Sequence, residues 1–310
     1  MTVLIAGYTG LVGSSIARLM KMRGESFVGV NSKNLNLLDR KATFEFVNDV
    51  KPDLVIDAAA IVGGINANNS YPVDFLSKNV QMQTNLMDAS HSANVERLVF
   101  LGSSCIYPRD CKQPIKEESL LTGPLEQTNS AYAIAKIAGI ELVKAYRKQF
   151  NRNWISLMPT NMYGPNDNFD LNTSHVLPAF INRFVNAYEQ ESPTVTLWGT
   201  GTARREFLHV DDFSKATLMA LEKYNESQQL NVGSGEDLTV FELASLVANL
   251  VGFRGKINWD SSKPDGTPRK VLDVTNIKKI GWVPEIPLKE GIASTIEWFK
   301  ENENRLVKRY

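Results

Sequence analysis

Apolar and polar positions alternate in blocks along the first half of the chain. Short apolar runs are typical of buried strands, and they occur at 2–6, 27–30, 54–57, 97–101 and 154–158. Apolar residues at helical spacing predict helices between these runs, at 14–24, 39–50, 72–93 and 130–150. Regular alternation of strand and helix predicts an α/β fold, a Rossmann-type doubly wound parallel sheet.

The regular alternation of strand and helix ends after residue 165. Helical spacing continues at 175–188, 210–223, 240–251 and 288–302. Two short apolar runs, 195–198 and 230–233, predict strands between these helices. We therefore expect a smaller C-terminal α+β lobe that covers the ligand crevice of the sheet.

The amino-acid composition bears on whether the protein binds nucleic acid or a membrane. The 310 residues contain 34 basic and 34 acidic side chains, so no overall field favours nucleic acid or an anionic membrane. No apolar run reaches membrane-spanning length, and the N-terminus shows no signal-peptide pattern. Two cysteines give no disulfide framework. We expect a reduced, cytoplasmic protein, with no metal site.

A glycine-rich loop separates the first strand from the first helix. Gly7, Gly10 and Gly13 form a G-x-x-G-x-x-G pattern at this position. Glycines permit a tight turn and let backbone N–H groups approach a pyrophosphate at the helix N-terminus. A purely structural turn is the alternative, but the flanking strand and helix favour dinucleotide binding.

The turn after the second strand bears on which dinucleotide binds. NAD enzymes usually carry an acidic residue here for the ribose 2′-hydroxyl, but this turn reads Asn31-Ser32-Lys33-Asn34. Ser32 can hydrogen-bond a 2′-phosphate and Lys33 can neutralise it. The turn therefore favours NADP over NAD, unless Lys33 is only a solvated turn residue.

Tyr132 and Lys136 are four residues apart in the helix predicted at 130–150, for which Ser130 is the expected cap. A phenol becomes useful for proton transfer near neutral pH when its pKa falls by about three units, or about 4 kcal/mol. One ammonium about 4 Å away at an effective dielectric near 20 supplies roughly that energy. The pair is therefore a candidate proton relay, although two residues on a solvated helix face would show the same spacing.

Small polar residues follow the strand at 97–101, where an open α/β sheet presents its ligand crevice. Ser103 lies at this strand end and can hydrogen-bond a substrate carbonyl. Together, Ser103, Tyr132 and Lys136 resemble the catalytic trio of short-chain dehydrogenase/reductases of the extended, sugar-nucleotide-modifying type.

Longer motifs carry a more specific resemblance. The runs GSSCIYP, SAYAIAKIAG, PTNMYGPNDNF, SHVLPAF, WGTGTARREFLHVDD and KPDGTPRKVLD resemble the GDP-L-fucose synthase family along nearly the whole chain. That family uses NADP(H) to epimerise GDP-4-keto-6-deoxy-mannose at C3 and C5 and to reduce C4. The resemblance implies an extended short-chain dehydrogenase/reductase fold. It also implies a homodimer in which long helices, including the Tyr–Lys helix, form a four-helix bundle.

The resemblance also implies residue roles. Tyr132 would protonate the C4 oxygen as hydride arrives, and Lys136 would bind the nicotinamide ribose. Cys105 and His175 match the family's epimerisation pair, and both residue types can titrate near neutral pH. Ser103 and Tyr132 would hold the enolate oxygen between steps. Cys105 as a buried small hydrophobe and His175 as a helix-end residue are the structural alternatives.

The binding residues implied by the motifs fall into two groups. The expected cofactor contacts are Gly7, Thr9, Gly10, Leu11, Val12, Gly13, Ser32, Lys33, Leu101, Gly102, Ser104, Lys136, Pro159, Thr160, Asn161, Met162 and His175. The expected GDP-sugar contacts are Arg183, Trp198, Arg205 and Asp265. Thr9 and Ile61 depart from the family pattern, because some members carry basic residues at these positions.

We expect residues 1–165 and 204–224 to form the NADP-binding Rossmann domain, and residues 166–203 and 225–310 to form the substrate lobe. Other functions also fit the sequence. A related GDP-sugar epimerase/reductase, such as a GDP-colitose-type enzyme, would use the same catalytic residues. An enzyme like the UDP-galactose 4-epimerases would retain NAD without net redox, and NADPH consumption would exclude it. A non-catalytic nucleotide-binding scaffold would tolerate loss of Tyr132.

Overall fold

The computed structural model describes residues 1–305. The strands are β1 (Val3–Ala6), β2 (Val28–Val30), β3 (Leu54–Asp57), β4 (Arg97–Leu101), β5 (Asn153–Pro159), β6 (Asn161–Tyr163), β7 (Thr194–Trp198), β8 (Arg204–His209), β9 (Leu230–Val232), β10 (Asp237–Thr239), β11 (Lys256–Asp260) and β12 (Arg269–Lys270). The helices are α1 (Leu11–Met22), α2 (Arg40–Val50), α3 (Ile65–Ser70), α4 (Asn79–Ser92), α5 (Ser130–Phe150), α6 (Val176–Glu189), α7 (Val210–Lys223), α8 (Val240–Val251), α9 (Thr275–Lys279) and α10 (Leu288–Asn302).

The main sheet has six strands in the order β2-β1-β3-β4-β5-β9, and every neighbouring pair is parallel. The chain moves outward from β1 to β2 and then returns to the other side of β1 to form β3. A ligand crevice opens at the carboxyl ends of the strands where such a reversal occurs. The predicted parallel doubly wound sheet is confirmed.

Most of the predicted helices also match, and two details differ. The helix predicted at 72–93 opens with a π-helical stretch, Asp74–Lys78, before α4. Ser130 is the first residue of α5 and not its cap, because its hydroxyl donates to the carbonyl of Gln127 at 3.3 Å. The predicted capping role of Ser130 is therefore wrong.

The second half of the chain contains short strands that the apolar pattern did not reveal. In one sheet β8 pairs with β10, β12 and β6, and in another β7 pairs with β11. The predicted division into two domains stays a prediction. However, β9 lies in the range assigned to the substrate lobe, yet it is the sixth strand of the main sheet. Residues 306–310 of that range lie outside the described part of the chain.

Two large apolar cores hold the fold together. The first surrounds the six-stranded sheet and includes Ile277 and Trp282 from the end of the chain. The second packs α6, α8 and α10 against β7. Glu206 of β8 is fully buried, and its carboxylate accepts the N–H groups of Gly235 at 2.7 Å and Leu272 at 2.9 Å. These bonds fix the loops that return from the smaller lobe to the sheet.

Among residues 1–305, no helix is both long and apolar enough to cross a membrane.

Candidate active site

In the loop between β1 and α1 and in the first turn of α1, two glycines lie too close to neighbouring backbone for a side chain. Gly7 has φ +77°, and a Cβ on Gly13 would lie 2.2 Å from the carbonyl oxygen of Gly7. Gly10 precedes α1 and provides no side-chain cap, so the first N–H groups of the helix are open to a ligand. This geometry fits the pyrophosphate of a dinucleotide, held by the loop residues Gly7, Thr9, Gly10, Leu11, Val12 and Gly13.

The turn after β2 lies where the adenosine end of such a dinucleotide would reach. Asn31 accepts the N–H of Lys33 at 2.9 Å, and Asn34 accepts the N–H of Asn31 at 2.7 Å. These two side chains build the turn and leave Ser32 and Lys33 exposed. A hydroxyl and an ammonium are therefore exposed at this turn, and their contact with a 2′-phosphate stays a prediction.

Tyr132 and Lys136 are both buried on α5. The Lys136 ammonium donates to the carbonyl oxygen of Leu101 at 2.8 Å, which ties α5 to the end of β4. Its Nζ lies 4.7 Å from the ring centre of Phe100 and 5.8 Å from that of Tyr132. Burial lowers the pKa of Lys136, while Asp57 and Cys105 raise it.

Close backbone approach makes this arrangement possible. A Cβ on Gly139 would lie 2.3 Å from Cζ of Phe100, so this glycine lets α5 sit directly on β4. A Cβ on Gly102 would lie 2.5 Å from the sulfur of Met158 on β5. Residues with larger side chains at these positions would push the Tyr–Lys helix and the serine loop away from the strand ends.

Ser103 and Cys105 follow β4 and face the same crevice. The hydroxyl of Ser103 accepts the N–H of Cys105 at 3.3 Å. Cys105 packs in a small apolar cluster with Phe75 and Tyr132. Burial raises the pKa of the Cys105 thiol, and the hydrogen bond from Ser103 and the charges of Lys270 and Lys136 lower it.

His175 flanks the start of α6, close enough to Lys270 for that ammonium to act on its imidazole. Its imidazole is open to solvent within the crevice, yet the enclosing protein lowers its pKa, and the nearby Lys270 ammonium lowers it further. The loop before it is held by Gly64, whose N–H donates to Thr173 at 2.8 Å. His175 is therefore a neutral imidazole at neutral pH.

Lys270 is a charged residue of the crevice that the sequence reasoning missed. It belongs to β12, where alternation places Arg269 on the other face, paired with Asp237. Lys270 lines a small pocket together with Cys105, and its charge acts on both Cys105 and His175. The quoted motif KPDGTPRKVLD contained this lysine, but only the strand pairing with β8 reveals that it enters the crevice.

Three of the four expected GDP-sugar residues meet on one side of the crevice. Arg205 donates to the carbonyl oxygen of Asp265 at 2.9 Å, and the Asp265 carboxylate accepts the N–H and hydroxyl of Thr200, both at 2.8 Å. Trp198 ends β7 just before this turn and is half exposed. Arg183 lies on α6, and within residues 1–305 no hydrogen bond or ion pair joins it to the other three.

The remaining expected cofactor residues follow β4 and β5. The N–H of Thr160 donates to Val232 at 3.1 Å, and the Asn161 amide donates to Glu206 at 2.8 Å. Leu101 ends β4, and Gly102 and Ser104 follow it. Pro159 ends β5, and Thr160, Asn161 and Met162 follow it. The structure therefore brings these segments to one edge, and their cofactor roles stay predictions.

A dinucleotide loop, a buried Tyr–Lys pair and a nearby thiol and imidazole share one crevice. These features define a nicotinamide-dinucleotide oxidoreductase of the Rossmann class. Residues 3–233 match the NAD dependent epimerase/dehydratase family, and the chain belongs to that family.

Several relatives and solved structures that resemble this chain carry the name of a specific enzyme. The chain is 49% identical to GDP-L-fucose synthase of Escherichia coli K12, over 98% of each chain. A Campylobacter jejuni GDP-6-OMe-4-keto-L-xylo-heptose reductase superposes with a TM-score of 0.92 at 31% identity, covering 97% of this chain and 98% of the reductase. A GDP-L-fucose synthetase from Naegleria fowleri bound to NADP superposes with a TM-score of 0.91 at 26% identity, over 99% and 96% of the two chains.

The electrostatics of Cys105 yield a prediction for the apo protein. In a Cys111→Ser background, Lys270→Met removes the cation that stabilises the thiolate, so we expect the pKa of Cys105 to rise. Iodoacetamide alkylation at pH 8 should slow about tenfold, since one pKa unit changes the thiolate fraction tenfold. The rate against pH is followed by mass spectrometry. The control is Lys263→Met, which changes an exposed lysine in the loop before β12. Equal alkylation rates in the two variants would contradict the effect of Lys270 on Cys105.

Proposed function

We propose that this protein is a GDP-L-fucose synthase, which epimerises GDP-4-keto-6-deoxy-D-mannose at C3 and C5 and then reduces C4 to give GDP-L-fucose. The single observation that carries the proposal is the meeting of Tyr132, Lys136, Cys105 and Lys270 in one crevice, with His175 close enough for the Lys270 charge to act on it. Similarity to the E. coli synthase over both lobes supports it.

The proposed cofactor is NADP(H), which supplies a hydride when bound. The glycine loop would hold the pyrophosphate, and Ser32 and Lys33 would contact the 2′-phosphate. Lys136 would bind the nicotinamide ribose. Its ammonium is already held at the end of β4 by Leu101, so the group is positioned before the cofactor arrives.

In the reduction, Tyr132 is the proposed acid. Its ring packs edge-on against Phe75 with centroids 6.1 Å apart, which fixes the direction of the phenol. The phenol would give its proton to the C4 oxygen, and the adjacent Lys136 ammonium would stabilise the phenolate that remains. Ser103 would donate a hydrogen bond to the same oxygen.

In the epimerisations, Cys105 and His175 are the proposed proton carriers. The C4 ketone acidifies the protons on C3 and C5, and each inversion needs one group to take a proton and another to return it from the opposite face. Burial favours the thiol form of Cys105, whereas His175 is a neutral imidazole. The pair therefore contains a donor and an acceptor, and the Lys270 charge stabilises the thiolate when the thiol gives up its proton.

The GDP portion would bind between α6 and the turn around Asp265. Arg183 and Arg205 carry guanidinium groups suited to the diphosphate. Trp198 presents an exposed ring face to base or sugar. Asp265 would bind ribose hydroxyls while it shapes the turn through Thr200.

The proposal is tested with purified protein, GDP-4-keto-6-deoxy-mannose and NADPH. We expect NADPH oxidation at 340 nm and a product with the L-galacto configuration of fucose by NMR. Tyr132→Phe should lower kcat by about 10²–10⁴, because it removes the general acid. Tyr188→Phe, an exposed tyrosine on α6, is the matched control and should retain full activity.

Solvent deuterium separates the two half-reactions. Tyr132→Phe should still exchange deuterium into C3 and C5, whereas Cys105→Ser and His175→Asn should lose this exchange. Failure of the wild-type protein to consume NADPH with this substrate would overturn the proposal. Reduction without inversion at C3 and C5 would favour a simpler C4 reductase.

The preference for NADPH gives a separate prediction. Lys33→Ala removes the cation proposed to face the 2′-phosphate, so the Kd for NADPH should rise about tenfold, equivalent to 1.4 kcal/mol, while the Kd for NADH stays unchanged. Binding is followed by nicotinamide fluorescence. Lys41→Ala, whose side chain is 85% exposed on α2, is the control. Parallel changes for both cofactors would contradict the phosphate contact.

We also infer that two copies pair through α4 and α5. Three exposed apolar residues lie on or next to these helices: Ile134 on α5, Leu76 on the π-helical stretch that leads into α4, and Val73 just before that stretch. Sedimentation equilibrium should give a dimer for the wild-type chain and a monomer for Ile134→Glu. Val283→Glu, an exposed apolar position elsewhere, should stay dimeric. A monomeric wild-type protein would contradict this arrangement.

A free thiol at Cys105 suits a reducing compartment, so we place the protein in the cytoplasm.

A further inference from the structure

Asp57 is a buried acid that the reactions above leave unused. It is the last residue of β3, and only 1% of its surface is exposed. Its Oδ1 accepts the N–H of Ala59 at 3.3 Å. Its Oδ2 is buried and has no hydrogen-bond partner among residues 1–305. Burying an unpaired carboxylate oxygen is costly, so a cation nearby is expected.

The sheet register shows where this carboxylate points. Asp57 is the register partner of Phe100 on the parallel strand β4, and such partners project from the same face of a sheet. The Phe100 ring faces α5, because it meets Gly139 and lies 4.7 Å from Nζ of Lys136. Asp57 therefore projects from the face of the sheet on which the Lys136 ammonium lies.

We propose that Asp57 is the counterion of Lys136 and acts as a positioning residue that keeps the ammonium charged beside Tyr132. This ion pair acts through space, because Oδ1 bonds Ala59, Oδ2 has no hydrogen-bond partner among residues 1–305 and Nζ bonds Leu101. The catalytic consequence rests on the proposed function, whereas the ion pair does not. With Asp57 included, the groups that support Tyr132 come from α5, β4 and β3.

The surroundings contain few competing charges. Tyr132 on α5 and Cys105 after β4 are the other titratable groups that face Lys136. From α4, Asn79 and Gln83 contribute neutral amides that bond the backbone of Ile61 and Ala135. The neighbouring β1 residue in register with Asp57 is an alanine. Asp57 is thus the nearby carboxylate that raises the pKa of Lys136.

Titration of Asp57 makes the ion pair measurable. Burial raises its pKa to about 6, and the Lys136 charge opposes that rise. Above this pH the carboxylate is ionised and supports the ammonium. Below it the carboxylate is neutral, and the support is lost. The carboxylate is therefore ionised throughout the alkaline range in which Lys136 would lose its proton, and removing it should change the alkaline side of the activity profile.

The first experiment compares pH profiles of kcat for wild type, Asp57→Asn and Asp53→Asn. Asp53 lies just before β3, where its carboxylate accepts the N–H of Thr2 at 2.6 Å, so its variant is a matched control. Asp57→Asn should move the alkaline limb of kcat down by about one pH unit and lower kcat about tenfold at pH 8.5, with KM for the sugar unchanged. An Asp57→Asn profile with the wild-type shape would overturn the proposal.

The second experiment needs no activity. Carboxyl ¹³C NMR of the apo protein, assigned by the signal lost in Asp57→Asn, gives the titration of Asp57. Lys136→Met should raise the midpoint by more than one pH unit. Lys144→Met, on the same helix and paired with Glu141, should leave it unchanged. An unchanged midpoint in Lys136→Met would overturn the ion pair.

The two experiments separate the possible failures. If wild-type protein does not consume NADPH with the proposed substrate, the proposed function fails, and the NMR titration still decides the ion pair. If turnover is normal but Asp57 does not respond to Lys136→Met, the inference fails alone. Circular dichroism melts of Asp57→Asn and Lys136→Met show whether each variant is folded before its data are used.

Discussion

The site depends on one buried ammonium. Lys136 lies on α5, yet its Nζ bonds the carbonyl of Leu101 at the end of β4. This bond fixes the helix carrying Tyr132 against the strand that leads to Ser103 and Cys105. A buried lysine is stable in charged form only when nearby groups replace its lost hydration. The carbonyl, the Phe100 ring and the nearby carboxylate of Asp57 supply those interactions.

A second lysine, Lys270, acts through its charge on two other side chains of the crevice. Lys270 influences the thiol of Cys105 and the imidazole of His175 at once, and it lowers the pKa of both. It makes the thiolate easier to form and the imidazolium harder to form. One cation thus biases two proton carriers in a way that neither residue type alone would dictate. Proton transfer in this crevice is therefore controlled by residues from opposite ends of the sequence.

The helices in both halves of the chain were predictable because their signals are local. Apolar runs and helical spacing depend on neighbouring residues, so α7, α8 and α10 were predicted with their observed bounds. The Tyr–Lys spacing and the glycine loop are equally local. Strands β6, β8, β10 and β12 are two to six residues long and partly polar, so their pairing depends on distant segments. Lys270 and the setting of Asp57 were missed for the same reason, since strand register, and not composition, determines what they face.

The route of the chain through the first apolar core has a consequence for protein synthesis. That core needs β9, Ile277 and Trp282, which follow the whole of α6, β7 and β8. The nucleotide-binding half therefore cannot close its core while the C-terminal quarter is still inside the ribosome. Nearly the full chain must emerge before the first core is complete, because Ile277 and Trp282 belong to it.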